Sequence, residues 1–329
     1  MRNKTDAPAK RTSVTPEASA FAPLLLCGIC MLLGLVAVII DKFIFPFSHE
    51  ILSPLLCQVL ILILPTYLYV LATAPSRSLS KGIRVTGAIV MKAEHIFFLI
   101  FAAMFAICSS FALDVLVGGI YVTADGFTLL GILTAGDGEH SVSAAYLILC
   151  YAIIPAFAEE VFFRGIVFKE FESKGFAFAV IISSLIYAVF AYSPGQIPSA
   201  FAFGVILSIA LCVTGSLSAC ILIHLLFNLY GLFLQPNLSQ YFLSSQSNAL
   251  LVIVLLLALT ASAALFFGEL ARIYRRRASE GEASHQRRSV GSTELIETVR
   301  GYLSHKPTLA VSIFCVLIYA ATFVIRILT

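Results

Sequence analysis

The chain has 329 residues, of which 60% are hydrophobic and 12% are charged, and its mean hydropathy is +0.98. Soluble domains carry about 25% charged residues, so this composition excludes an ordinary soluble protein and indicates a polytopic helical membrane protein. The net charge of +3 gives no reason to expect a nucleic-acid partner.

Apolar runs of about twenty residues recur along the chain, which is the length that crosses roughly 30 Å of hydrocarbon as a helix. They predict an all-α transmembrane bundle of about eight or nine spans. Pro54 and Pro65 predict a kink or break in the second run, and the short sixth run is expected to be tilted or partly re-entrant. The runs are 20–40, 51–73, 95–116, 142–170, 175–192, 198–213, 217–234, 248–272 and 308–328.

The basic residues predict how this bundle is oriented. Nineteen of the twenty-one lysines and arginines fall in loops on one side of the membrane, and Lys42 and Arg326 fall on the other. By the positive-inside rule the first side is the cytoplasm, and it also holds the N-terminus. We therefore expect an integral membrane protein with a cytoplasmic N-terminus.

The polar segments divide the chain into four parts. Residues 1–19 predict a disordered cytoplasmic tail, and 20–272 predict the membrane domain. A basic cytoplasmic linker over 273–306 is expected to precede a lone transmembrane helix over 307–329. The arginines between 275 and 288 are able to contact anionic lipid, although their role in fixing the topology is reason enough for them.

Two adjacent glutamates, Glu159 and Glu160, interrupt the fourth apolar run. A carboxylate inside a membrane is costly unless it is paired or faces water or the protein interior. On a helix, Glu160 and Arg164 share one face, whereas Glu159 is rotated about 100° away. The three residues therefore form either a structural ion cluster near the cytoplasmic interface or part of a reactive site.

A second polar pair, His224 and Asn228, lies on one face of the seventh run. Polar groups at this depth seek one another because lipid offers them no partner. At 1.5 Å per residue, Glu160 and His224 both lie roughly 10–15 Å from the cytoplasmic surface. We predict that Glu159 or Glu160, together with His224 and Asn228, converges on one cavity open to the cytoplasm.

Three motifs in this region resemble those of the CAAX protease and bacteriocin-processing family of intramembrane proteases. Residues 159–165 resemble its E-E-x-x-x-R motif, and His224 to Asn228 resembles its H-x-x-x-N motif. Residues 183–191 resemble its F-x-x-x-H motif, but Tyr187 stands in place of the phenylalanine and Ala191 in place of the histidine. The resemblance covers about 144–234. The turn at 214–217 is similar to that of bacterial members, so we expect a bacterial plasma membrane.

The resemblance implies hydrolysis of a peptide bond by an activated water. Glu159 or Glu160 would be the general base, a histidine such as His224 would orient the water, and Asn228 would stabilise the oxyanion, with Arg164 pairing to a glutamate. It also implies a divalent metal such as zinc, whose ligands would be Glu159, Glu160 and His224. Ala191 weakens that alternative because catalytic zinc usually takes three protein ligands that include histidines.

Three functions stay open from the sequence. The first is an endopeptidase that cuts membrane-associated peptides or lipidated proteins. The second is a catalytically impaired relative that binds a peptide or lipid-linked partner, for example in immunity. The third is a carrier of protons or small molecules, which is disfavoured because the acids outside 159–164 lie near predicted span ends rather than along a path.

Overall fold

The computed structural model describes residues 16–44, 53–73, 91, 93–117, 144–172, 175–191, 194–244, 249–279, 297, 299–302 and 304–328. Within these residues every regular element is helical, which confirms the predicted all-α bundle. The helices are α1 (Pro16–Ile39), α2 (Leu55–Thr73), α3 (Ala93–Val117), α4 (Ala144–Glu172), α5 (Phe176–Val189), α6 (Ile197–Thr214), α7 (Leu217–Phe233), α8 (Gln235–Ser244), α9 (Ala249–Ser279) and α10 (Lys306–Leu328).

Seven helices in the described part of the chain are long and apolar enough to cross a membrane, and the count is eight if the α7–α8 pair, bent by 46°, forms one span. The sequence predicted a kink or break in α2 and a tilted or partly re-entrant α6, but both helices are long and apolar enough to span a membrane. The short helix is α5, whose 14 residues are fewer than the roughly twenty that a span requires. It begins after Gly175, which has a φ of 125°, and ends in a turn at Phe190. The residues that the structure describes therefore hold seven or eight candidate spans, within one of the predicted eight or nine.

Proline changes the backbone geometry of helices α2 and α4. In α2 the predicted kink takes the form of a widened, π-helical turn over Gln58–Ile63, just before Pro65. In α4 the same kind of turn covers Leu149–Ile153, just before Pro155. Proline has no N–H, so a local change of helical pitch re-satisfies the carbonyl that it leaves without a donor. A second widened stretch of α4, Val161–Phe168, follows the two glutamates directly.

Helix α4 lies at the centre of the structure. It packs against α1, α2, α5, α6 and α7, while α3 packs beside α6 and α7 and has α9 on its other face. Helix α10 packs against α1. Half of the apolar stretch of α4 is buried, compared with 11% of that of α9. The bundle therefore has a protein-enclosed centre and a largely exposed periphery.

Small residues bring α5 and α6 close together. A Cβ placed on Gly204 would lie 2.9 Å from the Cα of Ser184, so only glycine fits at this crossing. The hydroxyl of Ser208 donates to the carbonyl of Gly204 at 2.8 Å and lies 3.4 Å from the hydroxyl of Ser183. This crossing holds the carbonyl of Gly204 against the centre of the bundle.

The chain termini and the linker differ from their predicted bounds where they are described. Helix α1 begins at Pro16, inside the predicted tail, and α9 continues seven residues past Arg272 to Ser279. Arg277 donates a hydrogen bond to the carbonyl of Val213 at the end of α6, where a cation is favoured. The rest of the tail, most of the linker and part of the basic tract lie outside the described residues.

Candidate active site

The acid pair of α4 meets α7 inside the bundle. Glu160 Oε1 accepts a hydrogen bond from Nη1 of Arg164 at 3.0 Å and lies 2.7 Å from Nδ1 of His224. The exposed fractions of Glu160, Arg164 and His224 are 0%, 1% and 2%. One carboxylate oxygen thus joins an arginine on its own helix to a histidine 64 residues away in the sequence.

Arg164 is fixed from three directions. Besides Glu160, its Nη2 donates to the carbonyl of Gly204 on α6 at 3.2 Å. Its guanidinium carbon lies 4.8 Å from the centre of the Tyr187 ring on α5, which is a cation–π contact. A buried cation needs such partners because it has lost its hydration. Arg164 therefore ties α4, α5 and α6 together around the glutamates.

Glu159 is the member of the pair that reaches the surface. Its side chain is 24% exposed, and its Oε2 lies 3.7 Å from Nε2 of His224. The ring of Tyr187 on α5 lies edge-on to the same imidazole, with centroids 6.1 Å apart. The imidazole therefore has one nitrogen on buried Glu160 and the other directed toward accessible Glu159.

The contact with Glu160 also selects the proton position on His224. A carboxylate at 2.7 Å accepts a hydrogen bond from Nδ1, so in the neutral imidazole the proton is assigned to Nδ1. Nε2 is then an acceptor that faces Glu159. The ring of Phe203 lies edge-on to the imidazole, with centroids 5.1 Å apart, and restricts its rotation.

The second oxygen of Glu160, Oε2, is buried and has no hydrogen-bond donor among the described residues. A buried carboxylate oxygen without a donor is costly, and an ordered water is the usual partner in such a place. An ordered water would supply the donor that Glu160 Oε2 lacks, and the accessible carboxylate of Glu159 is the neighbouring residue.

Two of the predicted positions lie at the edge of this cluster. Asn228 is half-buried, and its side-chain nitrogen donates to the carbonyl of Ala152 on α4 at 3.3 Å. Ala152 precedes Glu159 by about two helical turns, so Asn228 is bound away from the acid pair. Ala191 lies in the turn after α5, where its N–H donates to the carbonyl of Ala188. The structure thus brings together Glu159, Glu160, Arg164 and His224. Asn228 lies about one helical turn after His224 on α7.

The site includes two further groups that were not predicted from the sequence. The carbonyl of Gly204 has no side-chain signal, although a glycine within an apolar helix often marks a close approach. Tyr187 had a signal, because it occupies a motif position in place of phenylalanine. Its ring contacts Arg164 and His224 together.

The donor set does not fit the zinc site that the resemblance implies. Within the described residues, no group of three or more His, Cys, Asp or Glu side chains is arranged to hold a metal ion. His224 Nδ1 and Glu160 Oε1 are bonded to each other, and the cation of Arg164 lies 3.0 Å from that oxygen, where it repels a second cation. Residue 191, the position of the second histidine in the motif, is an alanine.

Comparison with known families agrees with this geometry. Residues 141–230, about a quarter of the chain, match the family model described as type II CAAX prenyl endopeptidase Rce1-like. The matched segment runs from just before α4 almost to the end of α7, so it contains all four helices that build the site. No curated protein and no solved structure matches the chain. The resemblance seen in the three motifs is confirmed for this segment.

Proposed function

We propose that the protein is an intramembrane endopeptidase that hydrolyses peptide bonds of membrane-associated peptides or lipidated proteins, because residues 141–230 match the family model of type II CAAX prenyl endopeptidase Rce1-like proteins. The observation that carries this proposal is the joining of Glu160, Arg164 and His224 behind a partly exposed Glu159. A purely structural ion pair has no need of a second, accessible acid at its side.

Glu159 is the proposed general base. It is the accessible acid, and the 3.7 Å between its Oε2 and Nε2 of His224 lets both groups contact one water molecule. Glu159 takes a proton from this water, and the resulting hydroxide attacks the carbonyl carbon of the substrate. When the C–N bond breaks, Glu159 returns the proton to the leaving amine, so atoms and charges balance.

Glu160 and Arg164 are proposed as positioning residues. Arg164 holds the carboxyl group of Glu160 in place, and Glu160 in turn keeps the proton of His224 on Nδ1 and the ring in one orientation. This frees Nε2 to orient the water. Asn228 remains the oxyanion donor that the motif implies, although its amide is bonded to Ala152 here. Because the donor set does not fit zinc, no step passes through a metal.

The orientation of the site follows the predicted topology. The distribution of lysines and arginines predicts that the N-terminus and the charged end of α4 lie in the cytoplasm. We therefore propose that substrates reach Glu159 from the cytoplasmic half of the membrane.

A second function, peptide or lipid binding without cleavage, is favoured by one specific observation. Ala191 supplies no acid–base group where the family motif has a histidine. The third, a carrier of protons or small molecules, has no structural observation in its favour and stays a prediction.

The purified protein in lipid nanodiscs, incubated with a library of membrane-anchored peptides, separates the first two functions. For the endopeptidase, mass spectrometry finds new peptide termini that disappear with Glu159→Gln and persist with Glu172→Gln, an acid at the end of α4 that pairs with Lys169. For a binding protein, peptides are retained intact by both variants.

A further inference from the structure

Tyr187 occupies the position on α5 that faces the acid pair. Its ring lies 4.8 Å from the guanidinium carbon of Arg164 and edge-on to His224, with centroids 6.1 Å apart. Phe163 packs edge-on against its other side at 5.0 Å. Glu159, whose Oε2 lies 3.7 Å from Nε2 of the same imidazole, is the acid within reach of the Tyr187 hydroxyl. Three charged or ionisable members of the site therefore surround one phenol.

The neighbouring motif position does not contribute such a group. Ala191 follows the end of α5 and has only a methyl side chain, and its backbone N–H is bonded to Ala188. Among the described residues of α5, the polar side chain at the acid pair is that of Tyr187. Compared with the F-x-x-x-H motif, this chain has gained a hydroxyl at the first position and lost an imidazole at the fourth.

We infer that the hydroxyl of Tyr187 takes the place of the imidazole that the motif has at residue 191, as the polar group that α5 and its following turn present to the acid pair. It donates to the carboxylate of Glu159 and holds that group toward the water and Nε2 of His224. Ala191 lies in the turn that directly follows α5, and Tyr187 lies in the last turn of that helix, so a donor absent at residue 191 is replaceable from residue 187. Tyr187 is a positioning residue that acts through Glu159, and this inference rests on the proposed function.

The contacts of the ring keep the hydroxyl in place. The cation–π contact with Arg164 and the packing against Phe163 and Phe203 fix the plane of the ring. A phenol held in this way loses little conformational freedom when it donates to a carboxylate. Such charge-assisted hydrogen bonds are stronger than neutral ones.

The first test is Tyr187→Phe, which keeps the ring and its packing but removes the hydroxyl. We expect kcat to fall about 10- to 100-fold, the effect of one hydrogen bond to a charged group, with KM unchanged. Tyr69→Phe, on α2, is the matched control and should leave kcat unchanged. Equal kcat for Tyr187→Phe and the wild-type protein would overturn the inference.

The second test restores the motif. Adding Ala191→His to Tyr187→Phe recreates F-x-x-x-H, and we expect it to recover most of the lost kcat, whereas Ala191→His alone changes it little. A merely structural role of Tyr187 predicts no recovery from a histidine at residue 191. A double variant that folds normally but remains as slow as Tyr187→Phe would therefore show that Tyr187 does not replace the motif histidine.

A third measurement needs no catalysis, so it separates this inference from the proposed function. The infrared carboxyl band of Glu159 is assigned from the difference between the wild-type protein and Glu159→Gln. We expect this band to shift in Tyr187→Phe and not in Tyr69→Phe, because the carboxyl loses its donor only in the first. An unshifted band overturns the inference even if cleavage is observed. A shifted band in a protein that cuts no peptide leaves the inference standing and removes the proposed function.

Discussion

Helices α4 and α9 each carry a glutamate and an arginine within one helical turn, but the two pairs differ in every other respect. Glu160 and Arg164 are fully buried and have further partners on α6 and α7. On α9, Glu269 pairs with Arg272 of the same helix, and the side chains of the glutamate and the arginine are 10% and 59% exposed. Sequence spacing predicts both ion pairs equally well. The two pairs therefore differ in the residues of other helices that each pair contacts. Spacing along one helix does not show these contacts.

The energetic consequences of the two pairs also differ. Removing one partner of a buried pair leaves an uncompensated charge in a medium that solvates it poorly. An exposed pair gains little from its own attraction because water and salt screen it. Matched substitutions on α4 and α9 therefore show whether the distinction drawn from burial is correct.

The largest expected effect is that of Glu159→Gln on cleavage. We expect the rate to fall about 10²- to 10⁴-fold, the contribution of a general acid or base, while the protein stays folded. Glu269→Gln on α9 should leave the rate unchanged. Peptide cleavage followed by mass spectrometry measures both, and equal rates in the two variants would contradict the assignment of the base.

The next effect concerns stability. Arg164→Ala should lower the free energy of unfolding by about 3–5 kcal/mol because Glu160 is left buried beside His224 without its cation. Arg272→Ala is the control on α9 and is expected to leave unfolding unchanged. Unfolding of the reconstituted protein in mixed micelles gives both values. Unchanged stability of Arg164→Ala would contradict the role of this arginine in holding the buried residues together.

A smaller effect is expected from two glycines. Gly204→Ala places a methyl group 2.9 Å from the Cα of Ser184 and should cost about 1–3 kcal/mol by overpacking, and it also displaces the carbonyl that binds Arg164. Gly268→Ala on α9 meets nothing within 4 Å and should be neutral or slightly stabilising. The same unfolding assay measures both variants. Similar values for the two would mean that α5 and α6 do not cross as closely as the structure has them.

The smallest effect is expected from metal chelators. Since the buried cation next to Glu160 is that of Arg164, cleavage should continue unchanged in EDTA or phenanthroline. Activity that is lost on chelation and restored by zinc alone would show that these side chains rearrange around a metal in the working enzyme.

The sequence predicted those features that depend on apolar length and on spacing along one helix. The helical bundle and the contact of Glu160 with Arg164 are of this kind. The meeting of Glu160 with His224, which lie on different helices, was predicted from their similar depth below the cytoplasmic surface. Features that depend on how helices rotate about their axes were not predictable. Asn228 shares a face with His224, yet its amide donates to the carbonyl of Ala152 instead of joining the acid pair. The shortness of α5 depends on the backbone at Gly175 and at the turn after Val189, which an apolar run does not reveal.

The close crossing of α5 and α6 at Gly204 has a consequence for how a polypeptide enters. Backbone lies against backbone there, so that flank leaves no gap for a peptide to thread. Of the four charged or ionisable groups, Glu159 is the one that an incoming chain touches first, because the other three are almost completely enclosed. For the proposed endopeptidase, this closed flank restricts the directions from which a scissile amide reaches Glu159.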